Sequence, residues 1–81
     1  MREVSREYSV YVGSNDNYIA KAQTLSRDNA LSVAHALSVQ FPNFPITIEE
    51  WKFVFSSEFL ESGLFKGEVI NFPAINRKEA A

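Results

Sequence analysis

One stretch of this chain carries apolar residues at helical spacing more clearly than any other. In "SRDNALSVAHALSVQF", residues 26–41, Ala30, Val33, Ala34, Leu37 and Phe41 fall on a single stripe of 3.6-residue period. Ser26 has the side chain of an N-cap, and Asp28 sits in the first turn, where the helix dipole favours negative charge. Pro42 closes the segment, because the residue before a proline avoids the α region. The segments on either side alternate with period two, so the expected class is α+β: one long helix laid across one face of a small antiparallel sheet.

The strands follow from the alternation. In residues 6–12, Tyr8, Val10 and Val12 point one way and Glu7, Ser9 and Tyr11 the other. Residues 13–17, "GSNDN", are turn formers. In the next segment Tyr18, Ala20 and Ala22 alternate with Ile19, Lys21 and Gln23, which predicts a hairpin whose small alanines let the helix approach. "PNFP" is a stiff connector, with Phe44 expected to fold back as a plug. Residues 46–54 read as a strand from their β-branched and aromatic content. On an unbroken strand Ile46 and Ile48 face away from Trp51, Phe53 and Phe55; a β-bulge at Glu49-Glu50 would bring all five to one side. The competing reading is a helix capped by Thr47 and Glu50, with Ile48, Trp51, Phe55 and Phe59 as its stripe. Residues 56–63 read as a short helical turn closed by Gly63, and 65–73 as a last strand. The element order is β-β-α-β-short α-β, in one domain over 1–81 with a flexible lead-in (1–5) and tail (75–81).

A chain of 81 residues without cysteine has neither disulfides nor thiolate metal sites to stabilise it. Its core must come from apolar side chains, among them seven Phe, three Tyr and one Trp, with the aromatics beside Glu49-Glu50 expected to be mostly core; homodimerisation is the other way to enlarge it. The net charge of −2 is scattered, which argues against a phosphate-backbone binder and against an acidic tail. No apolar run approaches a membrane span, and "MREVSREYSV" has no apolar signal core, so a cytoplasmic protein is expected.

Chemistry-bearing residues are few. Glu49 and Glu50 are adjacent, so on a strand they point to opposite faces and cannot flank one substrate atom; they are expected to be solvated rim charges or polar contacts to a partner. His35, the one histidine, lies off the core stripe without acids at ligand spacing, which predicts a surface residue. The serines lack a nucleophile elbow, Gly63 and Gly67 lack the lysine of a phosphate loop, and "NDN" at 15–17 is too short and too poor in acid for calcium. No catalytic residue, cofactor or metal is expected.

What remains is surface. Leu31, His35 and Val39 form a second helical stripe, and Tyr11 and Ile19 sit on the outward side of the first two strands; with Glu49 and Glu50 these are the candidate partner-binding residues. In size and build the chain resembles small phage- or plasmid-encoded inhibitors of host defence machinery, such as anti-CRISPR proteins and antitoxins. No motif carries that likeness, and it assigns no residue a role. The expectation is a non-enzymatic domain that docks on a larger protein or complex and blocks it sterically. The alternative is a regulatory or single-stranded nucleic-acid-binding module, ranked lower because the basic residues form no groove.

Overall fold

The computed structural model describes residues 2–56 and 63–75. It contains β1 (Arg2–Ser14), β2 (Asn17–Thr24), α1 (Arg27–Gln40), β3 (Ile46–Ser56) and β4 (Gly63–Phe72). The strands form one antiparallel sheet in the order β2-β1-β3-β4, with α1 on one face: the α+β class expected. Residues 46–56 are strand, which settles the choice between strand and helix there. Residues 2–5, read from sequence as a lead-in, continue β1. Of the expected turn at 56–63, Ser56 and Gly63 belong to strands and the remainder lies outside the described residues.

The helix forms where its signals place it. Ser26 is extended, and its hydroxyl accepts from the Asn29 N–H at 3.0 Å. The Phe41 N–H donates to the Leu37 carbonyl, closing the last turn before Pro42. Ala30 and Ala34 are fully buried against Tyr8, Val10, Val12, Ile46 and Ile48, while Leu31, Val33, Leu37 and Phe41 pack around that cluster. Two alanines at the point of closest approach let the helix sit low on the sheet.

β1 and β3 pair without a break from Arg2–Ser56 to Val12–Ile46. Period-two alternation along this ladder therefore fixes two faces. Tyr8, Val10, Val12, Ile46, Ile48 and Glu50 face the helix. Ser9, Tyr11, Thr47, Glu49, Trp51 and Phe53 face the other way. The bulge expected within β3 is not there. The extra residues lie on the edge strands instead. On β2, Val12 pairs with Ala20 and Gly13 with Tyr18, so Ile19 is supernumerary. On β4, Glu49 pairs with Val69 and Trp51 with Lys66, so Gly67 and Glu68 share Glu50. The β2 bulge moves Tyr18 off the alanine face and beside Tyr11, with ring centroids 5.1 Å apart.

Element lengths set the shape. Fourteen helical residues span about 21 Å, whereas the thirteen of β1 span about 43 Å. One helix, about 10 Å across, also covers little more than two strands at 4.8 Å spacing. α1 accordingly packs on β1, β3 and β2, and reaches β4 at its start through the ion pair of Arg27 with Glu68 at 3.1 Å. The principal extents are 56 × 22 × 16 Å.

Candidate functional site

Lengthwise and sideways, one helix is too small for this sheet, and each mismatch leaves a surface. Lengthwise, the far halves of β1 and β3 and the near half of β4 project past α1 as a three-stranded arm. Sideways, β4 lies beside the helix and a groove runs between them.

The arm begins at a polar belt built on the two glutamates. They lie on opposite faces, as alternation requires, but neither is a solvated rim charge: Glu49 is 2% exposed and Glu50 9%. The expectation failed because β3 is an inner strand, flanked by β1 and β4, so groups on both faces have neighbours to either side. Glu50 Oε2 accepts from the Tyr8 hydroxyl at 2.8 Å, and Oε1 accepts from the Glu68 N–H at 3.2 Å. Arg6 Nε lies 3.6 Å away and Lys52 Nζ 4.0 Å. The Tyr8 hydroxyl, then the Glu68 amide, hold the Glu50 carboxyl below its usual range. Burial, then the bond to this carboxylate, pushes the Tyr8 phenol up. Gly67 makes the arrangement possible: a Cβ there would stand 2.2 Å from Glu50 Oε1. On the opposite face, Glu49 Oε2 accepts from Asn15 Nδ2 at 2.8 Å and pairs with Lys66 Nζ at 3.0 Å. Glu50 is engaged through both oxygens and Glu49 through Oε2, by groups on neighbouring strands and the β1–β2 turn, which suits the pair to hold the strands in register.

Beyond the belt the arm is rich in exposed apolar side chains. On the face away from the helix, Phe53 is 40% exposed, Leu64 55% and Phe55 70%, next to half-buried Trp51. On the helix side, Val4 and Phe65 are exposed around buried Val54. The aromatics of this stretch, expected to be mostly core, are largely displayed. The signal was in the sequence: without a bulge in β3, Trp51, Phe53 and Phe55 had to face away from Ile46 and Ile48.

The groove between α1 and β4 has a volume of about 270 Å³ and is lined by Leu31, Ala34, His35, Ser38, Phe72, Pro73 and Ile75. Leu31 and His35 of the second helical stripe thus meet the end of β4. His35 is exposed, as expected; Val39 is 63% exposed and lies outside the groove. Tyr11 and Ile19 do not form one patch. Tyr11 is buried on the far face beneath Tyr18, with Lys21 Nζ 5.3 Å from its ring. Ile19 is exposed and lines a separate recess with Val12, Phe44 and Pro45 at the end of the sheet, where Phe44 remains 40% exposed instead of plugging the core.

Among the described residues, no hydrogen bond or ion pair joins the His35 side chain to Glu49 or Glu50, and no three metal-ligating side chains cluster. Among them, too, no helix is long and apolar enough to cross a membrane. Compared with family models, with curated proteins and with solved structures, the chain matches none.

Proposed function

We propose that this protein is a non-enzymatic binding domain that docks on a larger protein and acts by occupying its surface, in the manner of small inhibitors of host complexes. The observation that carries this reading is the groove between α1 and β4, with apolar walls at Leu31, Phe72, Pro73 and Ile75 and one ionisable side chain, His35, at its rim. Such a slot takes one or two apolar anchor side chains of a partner, and anchors of that kind dominate the energetics of protein interfaces. The contacts of Glu49 and Glu50 support the same reading, since the two acids lie on opposite faces and each is tied to its neighbouring strands. The test is differential capture. A partner retained by the wild-type protein and reconstituted with it from purified components should be lost with Leu31→Asp, while the far-UV spectrum and melting temperature hold. Equal retention by both proteins would refute the groove as the docking site.

A second reading rests on the sheet face away from the helix, where Trp51 and Phe53 lie near Lys66. Stacking platforms for single-stranded nucleic acid pair aromatics with basic residues in this way. It ranks second because Glu7 and Glu49 occupy the same face and the net charge is −2. Quenching of Trp51 fluorescence by a short oligonucleotide, relieved by salt, is its signature.

A further inference from the structure

The arm poses a problem that the groove does not. On the face turned away from α1, no described element covers Phe53, Phe55 and Leu64, which stand 40–70% exposed beyond the polar belt. We infer that a second copy of this chain covers the arm, the faces turned away from the helices packing against each other as a sheet sandwich.

Two observations single out a second copy. The first is area. Phe53, Phe55 and Leu64 together expose on the order of 300 Å² of apolar side chain, taking about 200 Å² for a fully exposed large residue. With half-buried Trp51 and Glu7 and the flanking Lys66, the patch comes to about 500 Å² per copy, about 1,000 Å² for the pair, which is the low end of specific interfaces and fits a weak dimer. Its apolar part alone falls within the range of the largest patch on a typical monomer, and such patches are often functional. The second is charge. The row through Trp51 reads Glu7, Trp51, Lys66 across β1, β3 and β4, and the next reads Ser5, Phe53, Leu64. A two-fold axis running along β3 lays β1 of one copy over β4 of the other. Each Glu7 then faces Lys66 of the second copy, which is held at the edge of this face by its own pair with Glu49 at 3.0 Å and would bridge the two carboxylates; Trp51 and Phe53 meet their own counterparts, and the apolar strip lies on the axis. The face is complementary to itself in both sign and hydrophobicity, as an isologous interface must be. The hairpin tips, where Asn15 reaches over Glu49, fall on opposite sides of the axis and bound the contact to the arm.

This inference is independent of the groove, and the experiment keeps the two apart. Sedimentation over micromolar to near-millimolar concentration should show a mass approaching twice the 9.2 kDa chain. Trp51, the one tryptophan, should shift to shorter emission wavelength as the dimer forms and its ring is covered. Phe53→Asp should leave a monomer with an unchanged far-UV spectrum. Phe65→Asp, on the other side of the arm, should leave the dimer intact, and Leu31→Asp should affect partner capture alone. Glu7→Lys, which sets like charges opposite one another, should weaken the dimer at least tenfold at low salt. A wild-type chain that stays monomeric with concentration-independent Trp51 emission would overturn the proposal. So would a dimer that survives Phe53→Asp or is broken by Phe65→Asp, or a short oligonucleotide that occupies this face in place of the second copy.

Discussion

At the scale of single residues, Glu50 decides the most. Its carboxylate is held by a hydroxyl, an amide and two cations, and only the missing side chain of Gly67 leaves it room. Its lowered pKa makes it a source of stability that is present at neutral pH and is lost as pH falls below the ordinary glutamate value of about 4.3 and through the folded one. The raised pKa of Tyr8 acts at the other end: its contribution is intact below about pH 10 and disappears as pH rises through the folded value. Glu50→Gln should therefore flatten the acid limb of a stability–pH curve measured by urea unfolding. Tyr8→Phe should flatten the alkaline limb and cost about 1.5–3 kcal/mol at neutral pH, the worth of a hydrogen bond to a charged group. An acid limb unchanged in Glu50→Gln would count against this account. Gly67→Ala should destabilise by about 1–3 kcal/mol in the wild type, because the added methyl displaces the carboxylate, but by much less in a Glu50→Ala background. Additive losses in that double-mutant cycle would show that Gly67 serves some purpose other than making room for Glu50.

At the scale of elements, the edge strands absorb the irregularities and the inner pair stays regular. β1 and β3 carry the core and cannot slip, since a shift of one residue would turn Val10, Val12, Ile46 and Ile48 away from the helix. β2 and β4 are the outer strands of the described sheet and take up an extra residue at Ile19 and at Gly67-Glu68. The β1–β2 hairpin turns on Gly13, whose φ of 113° is a left-handed value, and whose N–H donates to the Pro45 carbonyl. A Cβ there would lie 2.5 Å from the Asn17 carbonyl oxygen. Gly13→Ala should cost about 1–3 kcal/mol in chemical unfolding. It should also loosen Tyr18 from Tyr11, visible as a change in near-UV aromatic dichroism, and an unaltered midpoint and spectrum would mean the turn does not depend on this glycine.

At the scale of the whole molecule, stability should be uneven along the long axis. The end beneath α1 has a helix-covered core, whereas among the described residues the arm has only its sheet. Native-state hydrogen exchange should find the amides of Val10, Val12, Ile46 and Ile48 opening only with global unfolding. Those of β3 beyond Trp51 and of the first half of β4 should exchange by smaller openings in dilute solution. If a second copy covers the arm, protection there should rise with protein concentration while protection beneath the helix does not. Uniform protection along β3 at high dilution would show the arm to be self-sufficient.

Local chemistry was enough for the elements. The helix from its N-cap to Pro42, the hairpin face of Tyr8, Val10 and Val12, the core alanines and the exposed His35 all rest on contacts within a few residues, or on a period that one face must satisfy. The fate of Glu49, Glu50, Tyr18 and the arm aromatics was beyond it. Alternation says which side of a strand a residue takes, but not whether that strand lies inside the sheet, where its neighbour bulges, or how far a helix reaches across it. Those follow from pairings between residues as distant as Tyr8 and Glu50, and from the lengths of whole elements laid against one another. The pattern of side chains determined what this chain forms, and only the tertiary structure decided what is left uncovered, because coverage is a relation between elements and no single segment contains it.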